Sequence, residues 1–135
     1  MALNQELLLS SLELVASREP VITERFYRIL FERYPQVQPM FGRNTTKQQQ
    51  QMLQEAIVAV VDRAHDADWL TETLHAMGKK HVEYGVTDEM YPWVGACLLE
   101  TLRQIAADDW TAEIGGAWTE AYGAISGLMI EGARA

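Results

Sequence analysis

An all-α fold is what this 135-residue sequence predicts. Three features carry the expectation. Apolar residues step by three and four almost throughout, the period of one helix face. No segment shows the two-residue alternation of a half-buried strand. Proline, glycine and paired acidic residues punctuate the chain so that only short connections remain between helical stretches. The expected architecture is six or seven helices in one domain over residues 1–135, without repeats or a linker.

Each element has its own warrant. Leu8, Leu12 and Val15 form a first stripe, and Ile22, Phe26, Ile29 and Leu30 a second, behind Pro20. Pro35 opens a short third element that ends near Phe41. Gly42-Arg43-Asn44-Thr45 reads as a loop, with Thr45 or Thr46 as the N-cap of a long helix. That helix places Met52, Leu53, Ala56, Ile57, Val60, Val61 and Ala64 on its inward face, and Asp66 and Asp68 mark the next break. The following helix carries Leu74, Met77, Gly78 and His81 and stops at Gly85. Thr87 is the expected cap of a helix bearing Val94, Leu98, Leu102 and Ile105, with Pro92 confined to its first turn. Asp108-Asp109 breaks the chain again, and the last helix carries Ile114, Trp118, Ile125 and Met129.

Composition bounds the function. A net charge of −8 argues against nucleic acid and anionic membrane surfaces as partners. The N-terminal apolar run Leu7 to Val15 is interrupted by Glu13, so neither a signal peptide nor a spanning helix is expected. The single Cys97 lies among Val94, Leu98 and Leu99 and reads as a small packing residue in a reducing, cytoplasmic setting.

Two polar features interrupt this apolar logic. His81 occupies a stripe position where leucine would serve, and a buried imidazole needs partners for its ring nitrogens. A backbone carbonyl or a metal would satisfy it, and spacing alone leaves both open. His65 reads as part of a solvated helix end, and His75 lies next to the Leu74 stripe but off it. The run Gln48 to Gln51 spans more than one helical turn, so it cannot face water entirely. Counting back from Met52 and Leu53 turns Gln48 and Gln49 inward, where an amide must find hydrogen bonds.

Four ordered segments bear a family resemblance. Phe26-Tyr27, Leu30-Phe31, Tyr34-Pro35 and Met40-Phe41 together resemble the B–C–CD region of the globins, most closely bacterial single-domain globins and the haem domain of flavohaemoglobins. Met77-Gly78-Lys79-Lys80-His81 is similar to their proximal histidine segment. Tyr91-Pro92-Trp93-Val94-Gly95 resembles the start of their G helix, and Ala117 to Gly123 their H-helix signature.

The resemblance implies a three-over-three helical sandwich around a b-type haem (heme b, iron protoporphyrin IX). His81 would be the proximal iron ligand, its other nitrogen donating to a carbonyl one turn earlier. Phe41 would pack on the porphyrin, and Lys80 or Arg43 would pair with a propionate. Tyr27 would be the distal tyrosine, Gln48 the distal glutamine with Gln49 as the alternative, and Met52 would press over the ligand site. Tyr91 stands at the G-helix tyrosine position, but its usual glutamate partner falls at Ala133. Glu131 is two residues off, about 200° around a helix.

The function implied is reversible binding of oxygen, nitric oxide and carbon monoxide, with high oxygen affinity. The first alternative is a nitric oxide dioxygenase served by a separate reductase, because the chain has no room for flavin and nicotinamide domains of its own. A gas sensor and a haem-free interaction module are further alternatives. Trp110 and Trp118 fit a monomer or a homodimer equally.

Overall fold

The computed structural model describes residues 3–41 and 46–134, the side chains of residues 41 and 46 excepted. Its α-helices are α1 (Gln5–Arg18), α2 (Ile22–Arg33), α3 (Thr46–Asp62), α4 (Ala67–Glu83), α5 (Met90–Ala106) and α6 (Ala112–Ala133). A 3-10 helix, Pro35–Phe41, follows α2, and a short one, Ala107–Asp109, follows α5. No strand occurs among the described residues.

Local chemistry fixes several boundaries. Asn4, Asp66 and Thr111 each accept a backbone N–H from three residues on at 3.1 Å, capping α1, α4 and α6. Such a cap is worth about 1 kcal/mol. Gly85 adopts a φ of 91° just beyond α4, a conformation that favours glycine and turns the chain away. Thr87 is not the cap expected of it. α5 begins at Met90, whose N–H donates to the Thr87 carbonyl at 3.0 Å, and Pro92 sits in the first turn. Residues 42–45, including the expected loop, lie outside the described residues.

The stripes become three apolar clusters. Leu8, Leu12, Val15, Ile22, Val61, Leu102, Ile105 and Trp118 join α1, α5 and α6 to the end of α3. The Trp118 indole donates to the Ser11 hydroxyl at 2.8 Å, so neither polar atom is orphaned there. Phe26, Tyr27, Ile29, Leu30, Val37 and Cys97 bind α2 to α5, with Tyr34 stacked on Trp93 at 4.9 Å. Val60, Leu70, Leu74, Tyr91 and Met129 form the third cluster.

That third cluster shapes the site. α3 and α4 are consecutive and joined by residues 63–66, yet they meet only near Val60, Leu70 and Leu74. Beyond that point α3 packs on α2 and α1, whereas α4 packs along α6. The two helices therefore share packing near one end, while the parts that carry Gln49 and His81 rest on different neighbours, two arms of a V in outline.

Candidate functional site

His81 lies on the α4 arm, half-buried. Its Nδ1 is 2.7 Å from the Met77 carbonyl, one turn earlier. A carbonyl only accepts, so Nδ1 carries the ring proton and Nε2 keeps its lone pair for a metal. In the neutral ring this carbonyl sets the tautomer, and it is the bond that the family resemblance implied.

The α2–α3 side supplies polar donors. Tyr27 is buried beside Phe31, the rings 5.6 Å apart, and the Gln49 amide donates to its hydroxyl at 3.3 Å. Burial raises the Tyr27 pKa and the bond from Gln49 partly opposes this, so the phenol stays protonated at neutral pH. Of the two glutamines weighed from sequence, Gln49 is half-buried and Gln48 exposed. Thr23 of α2 also donates to the Gln50 carbonyl at 2.8 Å, and Gln54 donates at 3.3 Å to the carbonyl of Pro20, which precedes α2.

Other expected site residues divide. Met52 belongs to the predicted inward face but is 55% exposed. Val82 and Tyr84, at the end of α4, are likewise large apolar residues left exposed. Lys80 is exposed beside His81. Arg43 and the side chain of Phe41 lie outside the described residues.

Tyr91 is 8% exposed and shares a cluster with Leu74 and Met129. Its hydroxyl is buried with no hydrogen-bond partner among the described residues, and burial, helped by Asp88, raises its pKa. Its backbone carbonyl accepts the Tyr122 hydroxyl at 2.6 Å. Glu131 does not complete a carboxylate pair with it. The Glu131 carboxylate is mostly exposed and lies 3.5 Å from His75 Nε2, too poorly aligned for a hydrogen bond.

Among the described residues no cluster of three metal-ligating side chains exists. A metal reached by His81 alone must therefore arrive in a group that brings its own donors. A flat apolar macrocycle beside His81 fits the large apolar side chains of Met52, Val82 and Tyr84, which the chain itself leaves exposed. No described helix is long and apolar enough to cross a membrane.

Comparison with known proteins converges on one family. Residues 24–129 match the globin family. A flavohemoprotein of Bacillus cereus is 34% identical over 128 residues, which cover 93% of this chain but 31% of that protein's own length. The fold matches a bacterial globin from Campylobacter jejuni, with a TM-score of 0.80 at 28% identity over 96% of this chain and 94% of that one. It also matches an engineered carbene transferase from Rhodothermus marinus, described as a candidate nitric oxide dioxygenase. There the TM-score is 0.83 at 25% identity, over 96% of this chain and 90% of that one. With the order of helices, the histidine arm and the family match in agreement, this chain belongs to the globin family.

Proposed function

We propose that this globin holds haem b through His81 and binds a diatomic gas, oxygen foremost, between the two arms. The observation that carries this reading is the Tyr27–Gln49 pair on one arm and the carbonyl-anchored His81 on the other. Haem iron supplies the coordination position for the gas. The chain supplies what decides affinity. The Gln49 amide donates to the Tyr27 hydroxyl at 3.3 Å, which sets a phenol and an amide side by side as hydrogen-bonding groups for a gas ligand. Preorganised donors favour a ligand that gathers negative charge, as oxygen does on a ferrous centre. A hydrogen bond to a charged acceptor is worth about 1.5–3 kcal/mol, so one such bond slows oxygen release roughly tenfold or more. Carbon monoxide, less polarised, gains less.

The proximal side supports binding over bond cleavage. Nδ1 gives its proton to a neutral carbonyl, and Glu131 is turned toward His75. Among the described residues no carboxylate is hydrogen-bonded to the His81 ring to draw it toward imidazolate. The test is spectroscopic. Purified protein is expected to show a Soret band that His81→Ala abolishes or shifts, and Tyr27→Phe is expected to speed oxygen release at least about tenfold. An unchanged off-rate in Tyr27→Phe would remove the distal role.

A second reading is favoured by the likeness to a flavohemoprotein and to the Rhodothermus marinus protein. Nitric oxide, oxygen and one electron combine to nitrate, and the Tyr27–Gln49 donors suit that reaction equally. Sustained nitric oxide consumption with an added reductase supports it. A single stoichiometric oxidation without turnover counts against it.

A further inference from the structure

The seam between α4 and α6 closes through two glycines. A Cβ added at Gly78 would fall 2.6 Å from the Met129 carbonyl carbon and nearer still to its oxygen. One added at Gly132 would fall 2.7 Å from the His75 carbonyl carbon and nearer still to its Cα. Ordinary carbon contacts lie at roughly 3.5–4.0 Å. In both cases the neighbour is backbone, which cannot rotate aside. His75 opposes Gly132 and Gly78 opposes Met129, so three residues onward on one helix match three residues back on the other. That is one turn of antiparallel backbone contact in fixed register. Gly116, Gly123 and Gly127 of the same α6 meet nothing within 4 Å, so an added Cβ is blocked at Gly132 but not at these positions.

The seam also sets a direction. At about 100° per residue, His81 lies about 60° around α4 from Gly78 and about 120° from His75. It therefore faces about a quarter turn from the line of contact, within about 20° of Leu74. We infer that Gly78 and Gly132 are positioning residues for the iron ligand: by letting the α4 and α6 backbones touch, they fix the lateral offset and roll of α4 and so aim His81 Nε2 into the opening. This rests on the reading that His81 binds haem iron. An alanine at either position must move α4 by about 1 Å to restore ordinary contact, against a tolerance of about 0.5 Å for a well-held site.

The test uses the haem-loaded protein. In ferrous Gly132→Ala, the iron–histidine stretching band in resonance Raman is expected to shift and broaden. Haem loss to an excess of apoglobin scavenger is expected to quicken by about tenfold or more, the cost typical of disturbing a metal ligand's support. Gly123→Ala and Gly127→Ala keep the band of the original protein. So does Leu102→Ala, which destabilises a core remote from the seam and controls for stability alone. If Gly78→Ala or Gly132→Ala does not fold, the seam is read in the unsubstituted carbon monoxide form by Hα–Hα nuclear Overhauser contacts between Gly78 and Met129 and between Gly132 and His75. Their absence overturns the inference, as does an unmoved band in a loaded Gly132→Ala. Original protein that takes up no haem overturns the proposed function, and this inference with it.

Discussion

The two arms of the V are held by opposite means. The α4 arm rests on α6 backbone to backbone, through Gly78 on Met129 and Gly132 on His75. The α3 arm rests on α2 and the residue leading into it through side chains: Thr23 to the Gln50 carbonyl, Gln49 to the Tyr27 hydroxyl and Gln54 to the Pro20 carbonyl. Backbone contact is steep and cannot adjust, whereas side-chain bonds lengthen or rotate at modest cost. The helix that carries His81 is fixed sterically, whereas the α2–α3 contact that carries Tyr27 and Gln49 keeps some compliance. Under the proposed function, the first suits a ligand atom that must hold a set distance and angle, and the second suits a gas that must arrive and leave.

Substitutions can break or sharpen that contrast. The largest effect is expected from Gly78→Val, which forces two further carbons against the Met129 carbonyl. A loss of more than about 3 kcal/mol in urea unfolding is expected, as for strong overpacking. Next comes Gln49→Leu, which removes the amide from Tyr27; oxygen release should quicken several-fold, less than in Tyr27→Phe, with stability near that of the original. Thr23→Val keeps shape at a site that is 0% exposed but removes the bond to the Gln50 carbonyl. It should cost about 1 kcal/mol in the same unfolding measurement. Were Thr23→Val as damaging as Gly78→Val, the contrast between the seams would fail.

The smallest effect lies away from both arms. Arg103 and Gln104 bond the Glu100 carboxylate and lower its pKa from 4.5 to about 2. A depressed folded pKa stabilises above the unfolded value and loses that contribution as pH falls toward the folded one. Glu100→Gln should thus unfold slightly more easily at neutral pH, and the difference should vanish as pH drops from about 4.5 to about 2. The pair is surface-exposed, so the whole difference is small.

Much of the fold was legible because periodicity reports which face of a helix is apolar. Leu8, Leu12 and Val15, and likewise Ile22, Phe26, Ile29 and Leu30, are all buried as their spacing requires. Periodicity does not report what stands opposite that face. Met52 shares the stripe of Val60, yet Val60 meets α4 while Met52 is exposed. The choice between Gln48 and Gln49 turned on one residue, about 100° of rotation, finer than counting from neighbouring apolar positions resolves. Thr87 carried the right chemistry for a cap, but the turn preceding Met90 uses its carbonyl. The glycine seam left no local trace. Gly78 and Gly132 look like Gly123 and Gly127 until the register of two helices distant in sequence is known.

Tyr27 and Gln49 have one further consequence. Neither donor changes charge near neutrality: the amide never ionises, and burial raises the phenol further from its ordinary range. A histidine in that place would gain or lose a proton across the physiological interval. Gas uptake governed by this pair is therefore expected to be indifferent to acidification that leaves the fold intact.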